Sequence, residues 1–403
     1  MGWLRSLWKK VLGNVFRTLA LLLGVMQVVV GHWVTVVVAG REGQGLPLGL
    51  VLAVLLVVGN ALLMPVLRRA RRGTGWARSV ANLYMSVGIA TLLIGAAIVL
   101  SWLGWIPLGA VVSLAGVAPD AAFDLFRVAS GTVVGTIAAM LVWGFTVGQS
   151  QVDHTHLHVP LRGLASEHAG LRILQLSDLH IGNGMDGERL TRLVERVNER
   201  EPDLIALTGD LFDFDPTFVE DGCRRLGQLR ARLGVFAVLG NHDLYTGSEM
   251  VADGLARHAP GLRLLRGDVV RLATTAPLYV AGLDDPSGNF TARGLEIPDL
   301  AALGEELPAD GHTVLLVHRP ELFPQAARLG FPLVLAGHTH GGQLALPLAS
   351  GRHNMARLIT RYARGLYEEA GSLLYVNRGV GVAGPALRVG CTREVATLEL
   401  RPV

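Results

Sequence analysis

Cysteine is nearly absent from this sequence, and its scarcity excludes two classes of site. The 403 residues contain only Cys223 and Cys391. Two thiols cannot build a disulfide framework or a cysteine-ligated zinc site, and they are compatible with a reducing compartment. An excess of one charge is also missing, because 36 lysines and arginines face 33 aspartates and glutamates. Since the arginines of the first part follow a membrane pattern, no nucleic-acid partner is expected.

Apolar residues, by contrast, are abundant and unevenly placed. They make up 50% of the chain, more than an ordinary soluble protein of this length carries. Four segments in the first 150 residues approach or exceed the ~20 residues that cross a bilayer as a helix. These segments are Thr18 to Ala39, Leu46 to Leu67, Leu83 to Trp105 and Val128 to Val147. We therefore predict a four-helix transmembrane region over residues 1–150 and a multi-pass integral membrane protein.

A cleaved signal peptide is the alternative for the first apolar segment, since Arg5, Lys9 and Lys10 precede it. The apolar run is longer than the core of a typical signal peptide, and no convincing cleavage site follows. The sequence favours a membrane helix.

The basic residues of the loops predict the orientation of these helices. Lysines and arginines are concentrated before the first helix and after the second, and such loops face the cytoplasm. The residues are Arg5, Lys9, Lys10, Arg17, Arg68, Arg69, Arg71, Arg72 and Arg78. The loop before the fourth helix carries Asp120 and Asp124 and is expected to face outward. Four crossings return the chain to the cytoplasmic side, where the remaining residues are predicted to lie.

From about Arg172 the pattern changes to short β-rich runs that alternate with helical stretches. The runs RILQLSD, DLIALTGD and VFAVLGNHD are typical of buried strands, and helices are predicted at Gly187 to Glu199 and Pro216 to Arg232. This alternation predicts a parallel core sheet. Later runs are denser in strands and predict a second sheet. They are PLYVAGLDD, HTVLLVHRP, PLVLAGHTH, SLLYVNRG and EVATLEL.

Residues 171–403 are therefore predicted to form an α/β domain, and residues 151–170 a linker or leading strand. His154, His156 and His158 alternate in that leading segment. A linking strand is the favoured interpretation over a metal site.

Polar motifs follow five of the predicted strands. In chain order they are Ser177-Asp178-Leu179-His180, Thr208-Gly209-Asp210, Gly240-Asn241-His242-Asp243, Val317-His318-Arg319-Pro320 and Gly337-His338-Thr339-His340-Gly341-Gly342-Gln343. Each motif alone has an ordinary structural explanation, such as a turn, a helix cap or a core histidine. Together they would bury many polar groups with no common purpose. A shared dinuclear metal site, at the strand ends where such sheets open into a crevice, accounts for all of them.

The order D-x-H, G-D, G-N-H-D, a single H and G-H-x-H resembles the calcineurin-like metallophosphoesterases over about Leu171 to Leu400. The longer phrases SDLHIG, TGDLFD, GNHD, HRPELF, GHTHGGQ and LYVNRGVG resemble the membrane-associated bacterial branch, whose members include hydrolases of lipid-linked or nucleotide-linked phosphate esters. The resemblance implies an α/β/β/α sandwich with two mixed sheets. It does not bear on the four helices, which are predicted from hydropathy alone.

The resemblance also implies a metal-binding role for seven residues. Asp178, His180 and His340 would hold a first ion, Asn241, His318 and His338 a second, and Asp210 would bridge the two. Carboxylate, amide and imidazole ligands without thiolate suit Mn, Fe or Zn. A pair of such ions about 3.5–4 Å apart polarises a phosphoryl oxygen and supplies a bridging hydroxide as nucleophile.

His242 follows a ligand directly and is the candidate catalytic residue. In the family this position stabilises the transition state or protonates the leaving oxygen, and Asp243 is expected to orient its ring without binding metal. Asp213 is interpreted as a helix cap or a supporting group. Arg319 and Arg378 are left open between substrate contact and an ion pair.

The sequence thus predicts a membrane-anchored, metal-dependent phosphoesterase acting on phosphate ester or pyrophosphate bonds, with lipid-linked substrates among the candidates and the bilayer as a partner. The alternative is a membrane sensor or scaffold that uses the same fold to bind a partner without turnover. The complete set of predicted ligands disfavours that alternative.

Overall fold

The computed structural model describes residues 15–38, 75–286, 297–345 and 353–403, together with positions 51, 54 and 58. The chain divides into two compact units, residues 1–143 and 144–403. The first unit therefore ends at Trp143, shortly before the predicted end of the membrane region at residue 150.

The described part of the first unit is helical except at residues 115–118. Helix α1 is Val15–Trp33, continued by a π-helical turn at Val34–Val38, and α2 is Gly75–Leu114. Helix α3, Pro119–Thr146, extends from this unit into the first residues of the second. Within the described residues, two helices are long and apolar enough to cross a membrane, Asn82–Leu114 and Pro119–Ser150, and a shorter apolar helix covers Leu21–Val37.

The predicted four-helix region is therefore found in part. One predicted segment lies mostly outside the described residues, and the bounds of two others differ from the prediction. The predicted segment Leu46 to Leu67 lies outside the described residues except at three positions. The third segment does not end at Trp105, because α2 continues through Pro107 to Leu114. Neighbouring residues of a long apolar helix can accommodate a proline, which explains why the helix is not broken there.

The fourth segment starts earlier than predicted. Helix α3 begins at Pro119, so Asp120 and Asp124 lie in its first turns and not in a loop. Proline is favoured at the first helical position, and an acidic side chain stabilises the N-terminus of a helix through its dipole. The expected outward loop shrinks to residues 115–118.

The second unit is built from two six-stranded sheets. Its strands are β1 Val152–Leu161, β2 Arg172–Leu176, β3 Leu204–Thr208, β4 Val235–Val238, β5 Leu262–Leu264, β6 Asp268–Arg271, β7 Leu278–Gly282, β8 His312–Leu316, β9 Leu333–Ala336, β10 Gly365–Glu369, β11 Ser372–Val376 and β12 Arg393–Pro402. The first sheet has the order β1-β12-β2-β3-β4-β5 and the second β10-β11-β9-β8-β7-β6. Strands β2 to β5 are parallel and β12 is antiparallel to β2. Strands β7, β8, β9 and β11 are parallel, with β6 and β10 antiparallel at the edges. Both sheets are mixed, as predicted.

The helices of this unit lie on the outer faces of the sheets. They are α4 Gly187–Asn198, α5 Val219–Leu226, α6 Asn241–Thr246, α7 Ser248–His258, α8 Pro298–Glu305 and α9 Phe323–Arg328. Helix α4 matches its prediction, and Asp186 caps it by accepting a hydrogen bond from the backbone of Arg189. The helix predicted from Pro216 to Arg232 is shorter, because it ends at Gly227, a residue of low helix propensity.

Alternation along the strands explains why the domain has three apolar layers. In β3, Ile205 and Leu207 face the helices α4, α5 and α7, whereas Leu204 and Ala206 face the second sheet. Side chains that alternate between two buried faces give a strand with no exposed position. A third apolar layer joins the other face of the second sheet to α8 and α9. The order helix, sheet, sheet, helix is that of an α/β/β/α sandwich.

Residues 151–170 belong to the domain instead of linking it. Strand β1 pairs in parallel with β12 along its whole length, from Val152 opposite Arg393 to Leu161 opposite Pro402. His156 and His158 lie on its exposed side, where His156 Nε2 is 3.0 Å from a carboxylate oxygen of Glu399. These histidines are part of an edge strand, as favoured above.

Candidate metal centre

The predicted metal ligands meet at one edge of the sandwich. Strands β2, β3 and β4 of the first sheet and β8 and β9 of the second are followed directly by the five polar motifs. The carboxyl ends of parallel strands lie on the same side of a sheet, and here two sheets present that side together. The loops after these strands therefore bring distant parts of the sequence into contact.

Asp178, His180 and His340 form a first cluster, which is buried. The Nε2 atoms of the two histidines are 3.0 Å apart, and His340 Nε2 is 3.3 Å from Asp178 Oδ1. His180 Nδ1 is 3.2 Å from the carboxylate of Asp213. A carboxylate only accepts, so Nδ1 carries the proton and Nε2 keeps its lone pair for the centre of the cluster.

His318, His338 and Asp210 form a second cluster. His338 Nδ1 lies 3.1 Å from His318 Nε2, and His318 Nε2 lies 3.2 Å from Asp210 Oδ2. His318 Nδ1 is 2.9 Å from the carbonyl oxygen of Thr208, which can only accept a hydrogen bond. His318, like His180, therefore carries a proton on Nδ1 and points Nε2 into the site, where it offers a lone pair when the ring is neutral.

Asp210 lies between the two clusters. Its Oδ2 is 3.6 Å from His180 Nε2 in addition to its contact with His318. Burial alone would raise the pKa of Asp210, but His318 and His180 hold it well below its usual range. Burial in turn disfavours the charged form of His318, yet the carboxylate of Asp210 outweighs burial and raises the pKa of His318 to about 10. Burial, followed by the charge of His180, lowers the pKa of His340, which favours the neutral imidazole that binds metals.

The backbone at the site is strained in a regular way. Nine described residues other than glycine have a positive φ, and five of them are predicted ligands. These five are Asp178, His180, Asp210, His338 and His340. A left-handed conformation costs a residue with a side chain about 1–2 kcal/mol. Strain that recurs at five ligand positions indicates that the fold gives up stability to aim these side chains.

Two glycines make room for the clusters. A Cβ at Gly240 would collide with the backbone nitrogen and carboxylate of Asp210, and one at Gly337 would collide with Ser177 Oγ and the carboxylate of Asp178. Only glycine lets these segments approach so closely. The G-N-H-D and G-H-x-H motifs need their first residue for this reason.

Asn241 enters the site through the contact between Gly240 and Asp210. It begins helix α6, and the next residue, His242, donates its backbone N–H to Asp210 Oδ1 at 2.8 Å. Asn241 is buried, and its Oδ1 has no hydrogen-bond partner in the described part of the chain. A buried amide oxygen without a donor is costly unless something else binds it, and a cation is the matching partner. The donors of the site are oxygen and imidazole nitrogen, and together with this orphaned oxygen they fit divalent metal ions.

His242 lies beside the clusters, where it forms a further group of possible ligands with His180 and Asp210. Its ring is held by a different residue from the one predicted. His242 Nδ1 contacts Asp213 Oδ1 at 2.5 Å. Asp243 is fully buried and accepts three hydrogen bonds from backbone N–H groups, those of Leu211, Phe212 and Gly240. The expectation that Asp243 orients the ring is wrong because its carboxylate is used to join two loops.

Asp213 therefore supports two histidines at once, His180 and His242. It does not cap a helix; Asp215 caps the turn that follows. The motif GDLFD contains Asp213 three residues after Asp210. That spacing is the only sign in the sequence that Asp213 belongs to the site. The left-handed turn at Asp210 allows the carboxylates of Asp210 and Asp213 to reach the same histidine, His180.

The two arginines left open by the sequence have carboxylate partners. Arg319 Nε is 2.6 Å from the buried carboxylate of Asp285, and its guanidinium is 3.4 Å from His338 Nε2. Arg378 bonds Glu394 at 3.0 Å and Asp153 at 3.2 Å. Arg378 is thus part of a largely buried network, whereas Arg319 lies next to the second cluster.

The sequence gives no indication of one further residue, Arg388. Its buried guanidinium donates to the carbonyl oxygens of Gly381 at 2.8 Å and Arg378 at 2.9 Å and lies 3.3 Å from His340 Nδ1. No motif contains Arg388, and its role arises only because the loop after β11 folds over the first cluster.

Comparisons with known proteins identify the family of the chain. The pattern of the calcineurin-like phosphoesterase family matches residues 171–342. An uncharacterized metallophosphoesterase of Aquifex aeolicus is 34% identical over 233 residues, which are 57% of this chain and 85% of that protein. The chain belongs to the calcineurin-like phosphoesterase family, a class of metal-dependent phosphoesterases, as the five motifs predicted.

Two other relatives match over a smaller share of their own length. An uncharacterized metallophosphoesterase of Campylobacter jejuni is 34% identical over 232 residues, 57% of this chain and 59% of that protein. A "transmembrane protein with metallophosphoesterase domain" of Danio rerio is 30% identical over 291 residues, 68% of this chain and 64% of that protein. The chain therefore spans less than two thirds of either relative.

Proposed function

We propose that this protein is a membrane-anchored phosphoesterase that hydrolyses phosphate ester or pyrophosphate bonds, including those of lipid-linked substrates, with two divalent ions of Mn, Fe or Zn. The observation that carries the proposal is the convergence of seven side chains from five loops on one buried centre. Six of them, Asp178, His180, Asp210, His318, His338 and His340, lie in groups that could hold a metal ion. The seventh is Asn241, which is buried and whose Oδ1 has no hydrogen-bond partner among the described residues. A fold with only a structural purpose would not bury so many polar groups together.

The two clusters suggest how the ligands are shared. Asp178, His180 and His340 would hold one ion, and His318, His338 and Asn241 the other, with Asp210 contacting both. Ions bound there would polarise a phosphoryl oxygen and lower the pKa of a bound water, which supplies the hydroxide nucleophile.

His242 is assigned the proton transfer to the leaving oxygen. Asp213 holds its Nδ1, so Nε2 is the ring nitrogen available to substrate. The ring also touches Phe214 and Tyr245, whose own rings stack 5.4 Å apart. A histidine fixed on one side by a carboxylate and on the other by aromatic rings is oriented before substrate arrives.

Membrane anchoring is supported by the helices of the first unit. Leu100 is 67% exposed, Ile106 68% and Leu114 89%, although all three belong to an apolar helix. Water would make such faces costly, whereas a lipid environment would not. The zebrafish relative is itself named as a transmembrane protein.

An amphiphilic substrate is supported by an apolar turn beside the metal centre. Leu358 and Ile359 are 75% and 78% exposed, and they belong to or follow the turn Met355–Leu358. That turn packs against Gly342, next to His340, since a Cβ at Gly342 would contact the backbone of Met355. Exposed apolar side chains at the rim of a phosphoesterase site suit a substrate with an acyl chain.

The decisive experiment incubates purified full-length protein and Mn²⁺ with a total bacterial lipid extract and follows the phosphate-bearing species by mass spectrometry. We expect one class of phosphate-bearing amphiphile to disappear and its dephosphorylated or cleaved product to accumulate. The His242→Ala variant, checked for equal metal content, is the control. A metal-replete wild type that hydrolyses no phosphomonoester or phosphodiester with Mn²⁺, Fe²⁺ or Zn²⁺ would favour the sensor or scaffold alternative.

A second experiment tests the cytoplasmic placement of the catalytic domain, which rests on the loop arginines. A reporter active only in the periplasm, fused after Val403, should be silent, and one active in the cytoplasm should give signal. The reverse pattern would place the catalytic domain outside.

A further inference from the structure

A second polar site lies outside the metal centre, in a pocket of about 180 Å³ between helix α4 and the start of strands β1 and β12. Its basic side chains are Arg189, Arg192, Arg196 and Arg393. Apolar side chains such as Val152, together with the polar residues Gln149, Ser150 and His154, form the rest of the wall, and no aspartate or glutamate is among the described residues that line it. Four arginines without an acidic neighbour in the wall indicate a site for an anion.

Arg393 is the most unusual of the four because it is buried, with only 5% of its surface exposed. Its guanidinium donates to a neutral partner, the amide oxygen of Gln149 at 3.0 Å, and its Nε has no hydrogen-bond partner in the described residues. Burial, followed by the charges of Arg388 and Arg189, lowers the pKa of Arg393 to about 10. A buried guanidinium without a counter-charge is costly, and a bound anion would remove that cost.

The arginines of α4 extend this charge along one side of the helix. Arg189, Arg192 and Arg196 recur at spacings of three and four residues, so they share a face. Arg192 pairs with Glu188, and Arg189 lies 3.9 Å from Asp186, but both pairs are exposed and therefore weak. Arg196 has no carboxylate within 4.0 Å among the described ion pairs. An incoming anion would compete with few partners.

The position of the pocket indicates the source of the anion. Gln149 and Ser150 line it, and Ser150 is the last residue of the apolar span Pro119–Ser150. A pocket lined by the end of a membrane helix lies at the level of the lipid headgroups. Strand β12 runs antiparallel to β2 with Ala396 opposite Gln175, so Arg393 lies beyond the end of β2, at the edge that carries the metal centre.

We propose that this pocket binds the phosphate of an anionic phospholipid headgroup, and so holds the metal-centre edge of the catalytic domain close to the bilayer surface. The proposal rests on the membrane anchoring proposed above. The pocket volume accommodates a phosphate and a small polar substituent, and it is smaller than the sites that enclose most organic ligands. Guanidinium groups bind phosphate oxygens through paired, charge-assisted hydrogen bonds, which suits this headgroup.

The test measures binding by calorimetry on detergent-solubilised full-length protein that carries His242→Ala, so that no probe is consumed. The probes are dihexanoyl phosphatidylglycerol, dihexanoyl phosphatidylcholine and inorganic phosphate. We expect the phosphatidylglycerol probe to bind at least about tenfold more tightly than the other two, since one charge-assisted contact is worth about that factor. Arg196→Gln should weaken this binding about tenfold and Arg393→Gln should abolish it. Arg224→Gln is the control. Arg224 is an exposed arginine on α5 that pairs with a glutamate four residues earlier, as Arg192 does on α4, and its replacement should not change lipid binding.

Equal affinity for the two lipids would overturn the proposal, because it would show no selection for negative charge. Equal affinity for inorganic phosphate would make the pocket a site for free phosphate. Unchanged lipid binding in Arg196→Gln would place binding elsewhere, and this exposed position decides the matter if Arg393→Gln does not fold. Hydrolysis of a soluble aryl phosphodiester is measured separately on protein that retains His242. If lipid binding is absent and hydrolysis is present, only the pocket proposal is rejected. If selective lipid binding is present and hydrolysis is absent, only the proposed enzymatic activity is rejected.

Discussion

The two ligand clusters of the metal centre differ in how they are supported. In the first, His180 is held by Asp213 and His340 lies against Arg388, and all of its members are buried. In the second, His338 is only partly buried, and Asn241 has an amide oxygen with no hydrogen-bond partner among the described residues.

This difference indicates a division of labour between the clusters. Side chains fixed by outer partners lose little freedom when they bind a metal, so the first cluster is organised in advance. The second cluster is the more open one, and Arg319 lies close to it, whereas the ring of His242 lies beside His180 and Asp210. We infer that substrate reaches the centre from the side of His338. Four changes test this comparison, in order of expected effect.

Asp210→Ala should have the largest effect because Asp210 contacts both clusters. We expect it to remove bound metal more completely than Asn241→Ala, which affects only the second cluster. The loss in kcat/KM should exceed the about 10²–10³-fold that one transition-state donor contributes. Elemental analysis and steady-state kinetics on an aryl phosphodiester measure both. Asp253→Ala, at an exposed carboxylate paired with Arg257, is the control; wild-type metal content in Asp210→Ala would refute the shared centre.

His242→Ala should leave the metal content unchanged, since His242 lies beside the clusters, and lower kcat about 10²–10³-fold, or roughly 2.7–4 kcal/mol in activation free energy. Because His242 is not among the predicted metal ligands, we expect the same fold decrease in kcat with every metal that supports activity. Full activity in this variant would remove the role given to His242 and leave the metal centre standing.

Asp213→Ala should lower activity about 10–100-fold, the usual effect of removing a residue that orients a metal ligand. Because Asp213 holds both His180 and His242, the variant should lose some metal and some turnover, whereas His242→Ala loses turnover only. Asp213→Asn retains a hydrogen-bonding group of the same size and should recover part of the loss. Wild-type metal affinity and wild-type kcat in Asp213→Ala would contradict the inference that outer partners organise the first cluster in advance.

Thiol labelling should show no catalytic effect but measures how closed the first cluster is. Cys391 Sγ is 3.3 Å from the carbonyl oxygen of His340 and is buried. Cys223 is buried too, and burial raises the pKa of its thiol to about 12. Because the thiolate is the reactive form, both should resist a thiol reagent in the native protein and react after denaturation in guanidinium. Fast native labelling of Cys391 in a Cys223→Ala background would show that the first cluster opens.

Much of the catalytic domain could be predicted because its signals are local. RILQL, LIALT and HTVLL are short apolar runs with polar motifs at their ends, and each is a strand in the structure. Strand ends of a parallel sheet share one edge, so Asp178, Asp210 and His318 were expected to lie together before any contact was known. The ends of the apolar helices were harder to predict, because hydropathy does not mark where a helix such as Gly75–Leu114 stops.

The supporting residues could not be predicted for a different reason. Asp213 and Asp243 are both acidic, both near His242 or Asp210 in sequence, and equally suited to orient an imidazole. Their roles depend on the turns between β3 and α5, where Asp210 and Phe214 have a positive φ. The carboxylate of Asp213 is directed to the ring of His242, and the carboxylate of Asp243 faces three backbone N–H groups.

The sequence by itself therefore determined the class of fold, the identity of the candidate ligands and the apolar character of the first unit, since periodicity, motif order and hydropathy are properties of neighbouring residues. Only the tertiary structure decided which carboxylate holds His242, that Arg388 lies over His340, and that Arg393 and Arg196 line one pocket. Those contacts join residues far apart in the chain, and their energies depend on burial and distance, which no local pattern contains.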